Sequence, residues 1–157
     1  MAQNSETFRG EFPLPDLDAT ACLGRAIARG LNAGDAVALW GDLGAGKTTL
    51  ARAILQALGV KEDVPSPTFT LVQSYDTKPP TAHYDLYRLK SAREMEELGF
   101  EDALDRGAVL VEWPERAPEV LPPEALHVRL GLRDTGRLAR ITGPGRWANE
   151  LRSLLHD

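Results

Sequence analysis

Cysteine is nearly missing from these 157 residues. Cys22 stands alone, which excludes an internal disulfide framework and any zinc site built on clustered cysteines, and leaves it the ordinary place of a small buried hydrophobe. Long apolar runs are missing too. Nothing approaches the roughly 20 residues of a spanning helix, and Met1 to Arg9 is polar with no apolar leader stretch, so a cytoplasmic protein without membrane contact is expected. Positive charge is scarce: 18 Lys+Arg against 23 Asp+Glu give a net charge of −5. Residues 1–124 hold 12 basic and 20 acidic side chains, a net of −8, whereas 125–157 hold six arginines against three acids, a net of +3. An acidic body argues against independent nucleic-acid binding, because phosphate neutralisation supplies most of that affinity. The tail arginines (Arg129, Arg133, Arg137, Arg140, Arg146, Arg152) read as a solvated face, the commoner outcome, or as a patch toward a partner.

At 43% hydrophobic and 26% charged, the chain suits one globular domain over 1–157, its motifs lying at about 13–142. Asp16 and Asp18 precede Leu23, Ile27 and Leu31 at helical spacing, and Gly30 and Gly34 mark the end of that helix. Ala36 to Trp40 is a continuous apolar run, the mark of a buried parallel strand. A glycine-rich turn follows, then Leu50, Ile54 and Leu58 on one face of a helix that Gly59 terminates. Pro65 and Pro67 bracket a stiff loop before a β-rich stretch, Phe69 to Tyr75, and a turn at Lys78-Pro79-Pro80. His83 to Leu89 reads as a strand, and Ser91 with Glu94 as a capping box for a helix carrying Met95 and Leu98 and stopping near Gly99. Ala108 to Val111 is a second buried strand. Leu126 to Leu132 and Leu138 to Thr142 form a hairpin about Asp134-Thr135-Gly136, and Trp147, Leu151, Leu154 and Leu155 an amphipathic terminal helix. The fold class expected is α/β: a single P-loop NTPase-like domain with a mostly parallel central sheet flanked by helices, a C-terminal hairpin and a terminal helix.

The glycine-rich turn carries the chemistry. Gly41-Asp42-Leu43-Gly44-Ala45-Gly46-Lys47-Thr48 matches G-x-x-x-x-G-K-[ST] between a strand and a helix, the context that this motif requires. Glycines let backbone N–H groups converge on phosphate oxygens, and the helix adds its positive end. Lys47 then neutralises the β and γ phosphates and the Thr48 hydroxyl ligates Mg²⁺. Asp42 to Thr49, that is Asp42, Leu43, Gly44, Ala45, Gly46, Lys47, Thr48 and Thr49, are the expected nucleotide contacts.

A carboxylate from another strand must complete the metal side. Glu112 ends the apolar run Val109-Leu110-Val111 and is favoured for that role, with Asp85, after the weakly apolar Thr81-Ala82-His83, as a second carboxylate of the site. Asp85 has an alternative as the ion-pair partner of Arg88. His83 reads as a structural histidine, with no reason to promote it to a base. Trp113 belongs to the core, the usual place for its residue type, or forms a lid over the nucleotide. Ser66-Pro67-Thr68 is an ordinary turn or a switch-like loop that sets the Thr68 hydroxyl near the γ-phosphate.

Together these segments resemble the TsaE family, the bacterial ATPase component of tRNA threonylcarbamoyladenosine biosynthesis. The resemblance rests on Gly41 to Thr49, Ser66-Pro67-Thr68-Phe69-Thr70-Leu71-Val72, His83-Tyr84-Asp85-Leu86-Tyr87-Arg88, Glu94 to Gly99, and Val111-Glu112-Trp113-Pro114. It implies a protein that binds ATP and Mg²⁺, hydrolyses ATP slowly alone, and acts with TsaD and TsaB, which carry the transfer to the adenosine beside the anticodon. tRNA is then met only through those partners. Thr48 and Glu112 would form the Mg²⁺ side, and Lys47, Asp85, Thr68 and Trp113 the nucleotide-sensing and hydrolytic apparatus, while Asp16 to Thr20 would approach the adenine. Rival readings are a P-loop small-molecule or nucleotide kinase, for which no compact arginine cluster follows the core helix, and an ATP sensor that does not hydrolyse. A GTPase lacks support because no N-K-x-D element occurs. Arg88 is a candidate arginine finger in cis, and a partner is the alternative source.

Overall fold

The computed structural model describes residues 6–134 and 136–156. The residues before Glu6, Thr135 of the expected hairpin turn, Asp157 and the side chains of Leu155 and His156 lie outside the described residues. The element order is β1 (Thr7–Leu14), α1 (Leu17–Gly30), β2 (Ala36–Trp40), α2 (Lys47–Ala57), β3 (Val72–Tyr75), β4 (Thr81–Asp85), α3 (Glu94–Glu97), α4 (Phe100–Arg106), β5 (Ala108–Glu112), β6 (Leu126–Arg133), β7 (Gly136–Pro144) and α5 (Ala148–Leu151). All seven strands join one sheet in the order β1-β7-β6-β2-β5-β4-β3.

The centre of that sheet is parallel as expected, but the sheet as a whole is mixed. Strands β6, β2, β5 and β4 run parallel, while β1–β7, β7–β6 and β3–β4 are antiparallel. The C-terminal hairpin is no appendage, because β6 pairs directly with β2 and extends the sheet. An additional strand, β1, closes the same edge. Its sequence gives a poor strand signal because Gly10 and Pro13 interrupt the alternation of Phe8, Phe12 and Leu14, and at an edge both are tolerated.

Two cores sit on the two faces. Leu23 and Ile27 of α1 with Leu50 and Ile54 of α2 bury against Val37, Leu39, Leu110 and Val128. Met95, Phe100 and Ala117 cover Ala82, Tyr84, Val109 and Val111 on the other face. Each Val, Leu, Ile, Phe or Met among them contributes about 1.5–3 kcal/mol through area removed from water. Asp16 caps α1 by accepting from Ala19 N–H at 2.9 Å. Where α1 crosses α2, a Cβ on Gly24 would stand 2.7 Å from Ala53 Cβ, so only glycine allows that approach.

Several boundaries differ from the sequence reading. Strand β3 starts at Val72 because Phe69 and Thr70 turn, with Leu71 N–H donating to Pro67 O at 2.8 Å. Strand β4 begins at Thr81 and ends at Asp85, whose Oδ1 accepts from Tyr87 N–H at 3.0 Å and turns the chain away. All five β4 residues are buried, despite the weakly apolar lead-in to Asp85. The capping glutamate is present, Glu94 Oε1 accepting from Lys90 N–H and Ser91 N–H, but α3 is a single turn and α4 follows after Gly99. The terminal helix is also one turn, α5, between 3₁₀ turns at Gly145–Trp147 and Arg152–His156. Cys22 is exposed, not buried, because the helix phase set by Leu23 and Ile27 directs it outward, where it accepts from Arg25 Nη2 at 3.1 Å. Among the described residues no helix is long and apolar enough to cross a membrane.

Candidate functional site

The parallel centre of the sheet delivers β2, β4 and β5 to one end, and the candidate site lies beyond their C-terminal ends, as α/β sheets with parallel strands favour. Strand β2 runs straight into Gly41–Thr48, which turns into α2. Gly44 and Gly46 have φ of +83° and +105°, a backbone that side chains other than glycine rarely adopt. Gly46 caps α2 without a side-chain hydrogen bond, and no acidic residue stands in the first helical turn. The free N–H groups and the positive end of this 11-residue helix therefore face the cleft unneutralised by the protein's own helix residues.

Lys47 is buried, its Nζ donating to Gly41 O and to Asp42 O at 3.0 Å. It also stands 3.8 Å above the centroid of the Trp113 ring. Burial lowers its pKa from 10.5, with the nearby Glu112, Glu115, Asp85 and Asp42 carboxylates pulling the other way.

Alternation along β4 and β5 sends His83, Asp85 and Glu112 to the α2 side, opposite to Tyr84 and Val111. Asp85 and Glu112 are register partners. Glu112 Oε1 accepts from Thr48 Oγ1 at 2.7 Å, and Glu112 Oε2 lies 2.6 Å from His83 Nε2. Asp85 Oδ2 accepts from Ser66 Oγ at 3.0 Å and Thr68 Oγ1 at 3.3 Å, the two hydroxyls being 2.9 Å apart. The Ser66-Pro67-Thr68 loop is thus tied to a site carboxylate.

A cleft of about 350 Å³ is bounded by Leu43, Gly44, Gly46, Lys47, Thr48 and Thr49 on one side and by Thr68, Asp85, Glu112 and Trp113 on the other. These are all expected site residues brought together. Ala45 is buried beneath the loop, and Asp42, exposed, contributes its carbonyl to Lys47. Trp113 is half-buried, packing against the second core while lining the cleft, with Tyr87 at 4.9 Å between centroids. Its φ of +57° is the strained left-handed backbone that clusters at functional sites. Asp16 to Thr20 form the α1 cap and do not line this cleft.

Arginine placement differs from the sequence reading. Arg88 neither pairs with Asp85 nor lines the cleft, its guanidinium lying 4.7 Å from the Phe69 ring centroid. Arg137 does line it, donating from Nη2 to Gly44 O at 3.0 Å, with its Cδ 3.0 Å from where a Gly46 Cβ would be. The available signal is parity: Arg137 shares an inward-facing register with the buried Ala139 and Ile141. The tail is also no uniform solvated face. Arg140 pairs with Glu11 at 3.1 Å, and Arg146 donates to Gly30 O and to Asp35 Oδ2 at 2.9 and 2.6 Å.

Among the described residues, no group of three or more His, Cys, Asp or Glu is arranged to hold a metal. Thr48, Glu112 and Asp85 make instead a sparse oxygen set beside the glycine-rich loop. That donor chemistry suits Mg²⁺ carried with a polyphosphate and waters, which rarely occupies an all-protein cage.

Comparison with known proteins gives a consistent result. The family described as "Threonylcarbamoyl adenosine biosynthesis protein TsaE" matches residues 14–140. The tRNA threonylcarbamoyladenosine biosynthesis protein TsaE of Streptomyces coelicolor is 42% identical over 143 residues, covering 85% of this chain and 97% of that protein. The protein of the same name from Rickettsia felis is 44% identical over 120 residues, covering 75% of this chain and 70% of that protein. The crystal structure of Bacillus subtilis YdiB aligns with a TM-score of 0.73 at 29% identity, covering 95% of this chain and 94% of the other.

Proposed function

Since this chain belongs to the TsaE family of tRNA threonylcarbamoyladenosine biosynthesis, we propose that it is the Mg²⁺-dependent ATPase of that process, acting with TsaD and TsaB in the cytoplasm. The observation that carries the reading is the hydrogen bond from Thr48 to Glu112 across the mouth of the Gly41–Thr48 loop. It joins the hydroxyl of the loop motif to a strand-end carboxylate, the two protein groups that a nucleotide-bound Mg²⁺ requires.

The roles follow from placement. Backbone N–H groups of the loop and the first turn of α2 bind the phosphates, and the Lys47 ammonium swings from the Gly41 and Asp42 carbonyls to the β and γ oxygens. Thr48 and Glu112 would hold the metal, directly or through water, and Mg²⁺ would supply neutralisation of the phosphate charge. Asp85 orients the attacking water, and the Thr68 hydroxyl reports the γ-phosphate through its bond to Asp85. Trp113 stacks beside Lys47 and limits water entry. Arg137 adds a cation from the hairpin at the outer side of the loop. Phosphoryl transfer demands positioning and charge stabilisation more than covalent help, and these groups supply both.

The test is phosphate release from Mg·ATP by the purified chain, followed by co-purification with TsaD and TsaB in ATP or ADP and a multiple-turnover tRNA modification assay. Slow hydrolysis and a nucleotide-dependent complex are expected. Phosphate delivered to a small-molecule acceptor would make it a kinase, and partner activity retained by a variant that cannot hydrolyse ATP would make it a sensor.

A further inference from the structure

We infer that His83 is a positioning residue for the metal side of the site: its Nε2–H donates to Glu112 Oε2 and fixes the carboxylate so that Oε1 stays aimed at Thr48. The inference rests on the Mg·ATP reading above. Three elements meet here, with His83 on β4, Glu112 on β5 and Thr48 on α2. The contacts form one chain, Thr48 Oγ1 to Glu112 Oε1 at 2.7 Å and His83 Nε2 to Glu112 Oε2 at 2.6 Å, with His83 0% and Glu112 2% exposed.

An ionised carboxylate only accepts, so the ring nitrogen facing it carries the proton. One donor per oxygen then sets the plane of a side chain that has three rotatable bonds, which burial alone leaves free to choose among rotamers. Among the described residues, the buried His83 Nδ1 has no hydrogen-bond partner. A histidine kept for packing would be expected to pair both ring nitrogens, because a buried unpaired polar atom costs about 1–3 kcal/mol. Among the described residues, the Nε2 contact to Glu112 is therefore the hydrogen bond that orients this ring. Groups that hold a metal-side ligand in this manner change metal affinity about 10–100-fold when removed.

Gln and Asn separate this role from simple core filling. Gln sets an amide nitrogen near the Nε2 position, whereas Asn reaches only the Nδ1 position, at similar polarity. ATP affinity is measured calorimetrically with Mg²⁺ and with EDTA for the wild type, His83→Gln and His83→Asn. His83→Asn should cut the Mg²⁺-dependent gain about tenfold, with Mg²⁺-free affinity unchanged within about twofold, and His83→Gln should keep the gain within about threefold. Full gain in His83→Asn, or equal loss in both variants, overturns the positioning role alone. A wild type with no Mg²⁺-dependent gain overturns the Mg·ATP reading and this inference with it. If His83→Asn does not fold, ¹⁵N-edited NMR of the wild-type imidazole decides: a proton on Nε2 whose resonance moves when Mg²⁺ joins bound ATP supports the role, and an unprotonated Nε2 or an unmoved resonance overturns it.

Discussion

Asp85 and Glu112 end adjacent parallel strands as register partners and are buried alike, at 4% and 2% exposure. Their surroundings differ in kind. Glu112 is gripped by regular structure, the β4 histidine His83 and the first turn of α2 through Thr48. Asp85 is gripped by loops, through the Ser66 and Thr68 hydroxyls and the Tyr87 N–H. Groups on packed strands and helices keep one geometry, whereas loops open at lower free-energy cost. Glu112 is therefore held in one geometry, whereas Asp85 can shift with its loops, which on the proposed reading suits the first to the metal side and the second to sensing the γ-phosphate.

The largest perturbation removes what the two carboxylates share. Lys47 feels both charges, and Lys47→Ala should weaken ATP binding about 100-fold, near 3 kcal/mol, by calorimetry; a change within threefold would place the phosphates elsewhere. The next pair splits the contrast. Asp85→Asn should lower the rate of phosphate release about 30-fold with Mg·ATP affinity kept within about threefold, while Glu112→Gln should lose about tenfold of the Mg²⁺-dependent affinity. Identical patterns in the two variants would erase the distinction. Thr68→Val removes one long hydrogen bond to Asp85, and a fall in turnover of about fivefold is expected, with unchanged nucleotide affinity.

The smallest effect lies outside both carboxylates and should leave the contrast intact. Trp40 Nε1–H donates to His127 Nδ1 at 3.0 Å. Burial, with the Arg129 charge, holds the His127 pKa below 6.5. The unfolded chain then binds more protons at that residue as pH falls below 6.5, so this contribution to stability is lost between 6.5 and the lower native value. Thermal melts at about pH 7.5 and about pH 5.5 should show a smaller drop in His127→Gln than in the wild type. An equal drop would assign the pH dependence to other groups.

Much of the site was legible in the chain because loop, strand and helix are contiguous there. Gly41 to Thr48 declares its backbone through its glycines, and Val109-Leu110-Val111 announces a strand that must carry Glu112 at its end. Asp85 was legible as a carboxylate but not as a buried one, since the polar Thr81 and His83 hide a fully buried strand until a helix covers them. Cys22 went the other way from its residue type, and Trp113 divides between the second core and the cleft. Arg137 is 90 residues from Lys47 in sequence, and its parity with Ala139 and Ile141 marks an inward-facing position without telling which loop it meets.

Periodicity also read β2, α1, α2, β5 and the hairpin correctly, because each has a strong pattern within a short stretch. β1 and α4 escaped, the first interrupted by Gly10 and Pro13, the second only seven residues long. The mixed sheet depends on which strand lies beside which. Pairing is a choice among distant segments, made by the burial of whole faces and not by any one strand's alternation. The sequence by itself determined the glycine-rich loop and its two carboxylates, since each is a local chemical pattern. Tertiary structure alone decided that His83 grips Glu112, that Asp85 answers to a loop and that Arg137 reaches Gly44, because those contacts exist only once the strands have chosen their neighbours.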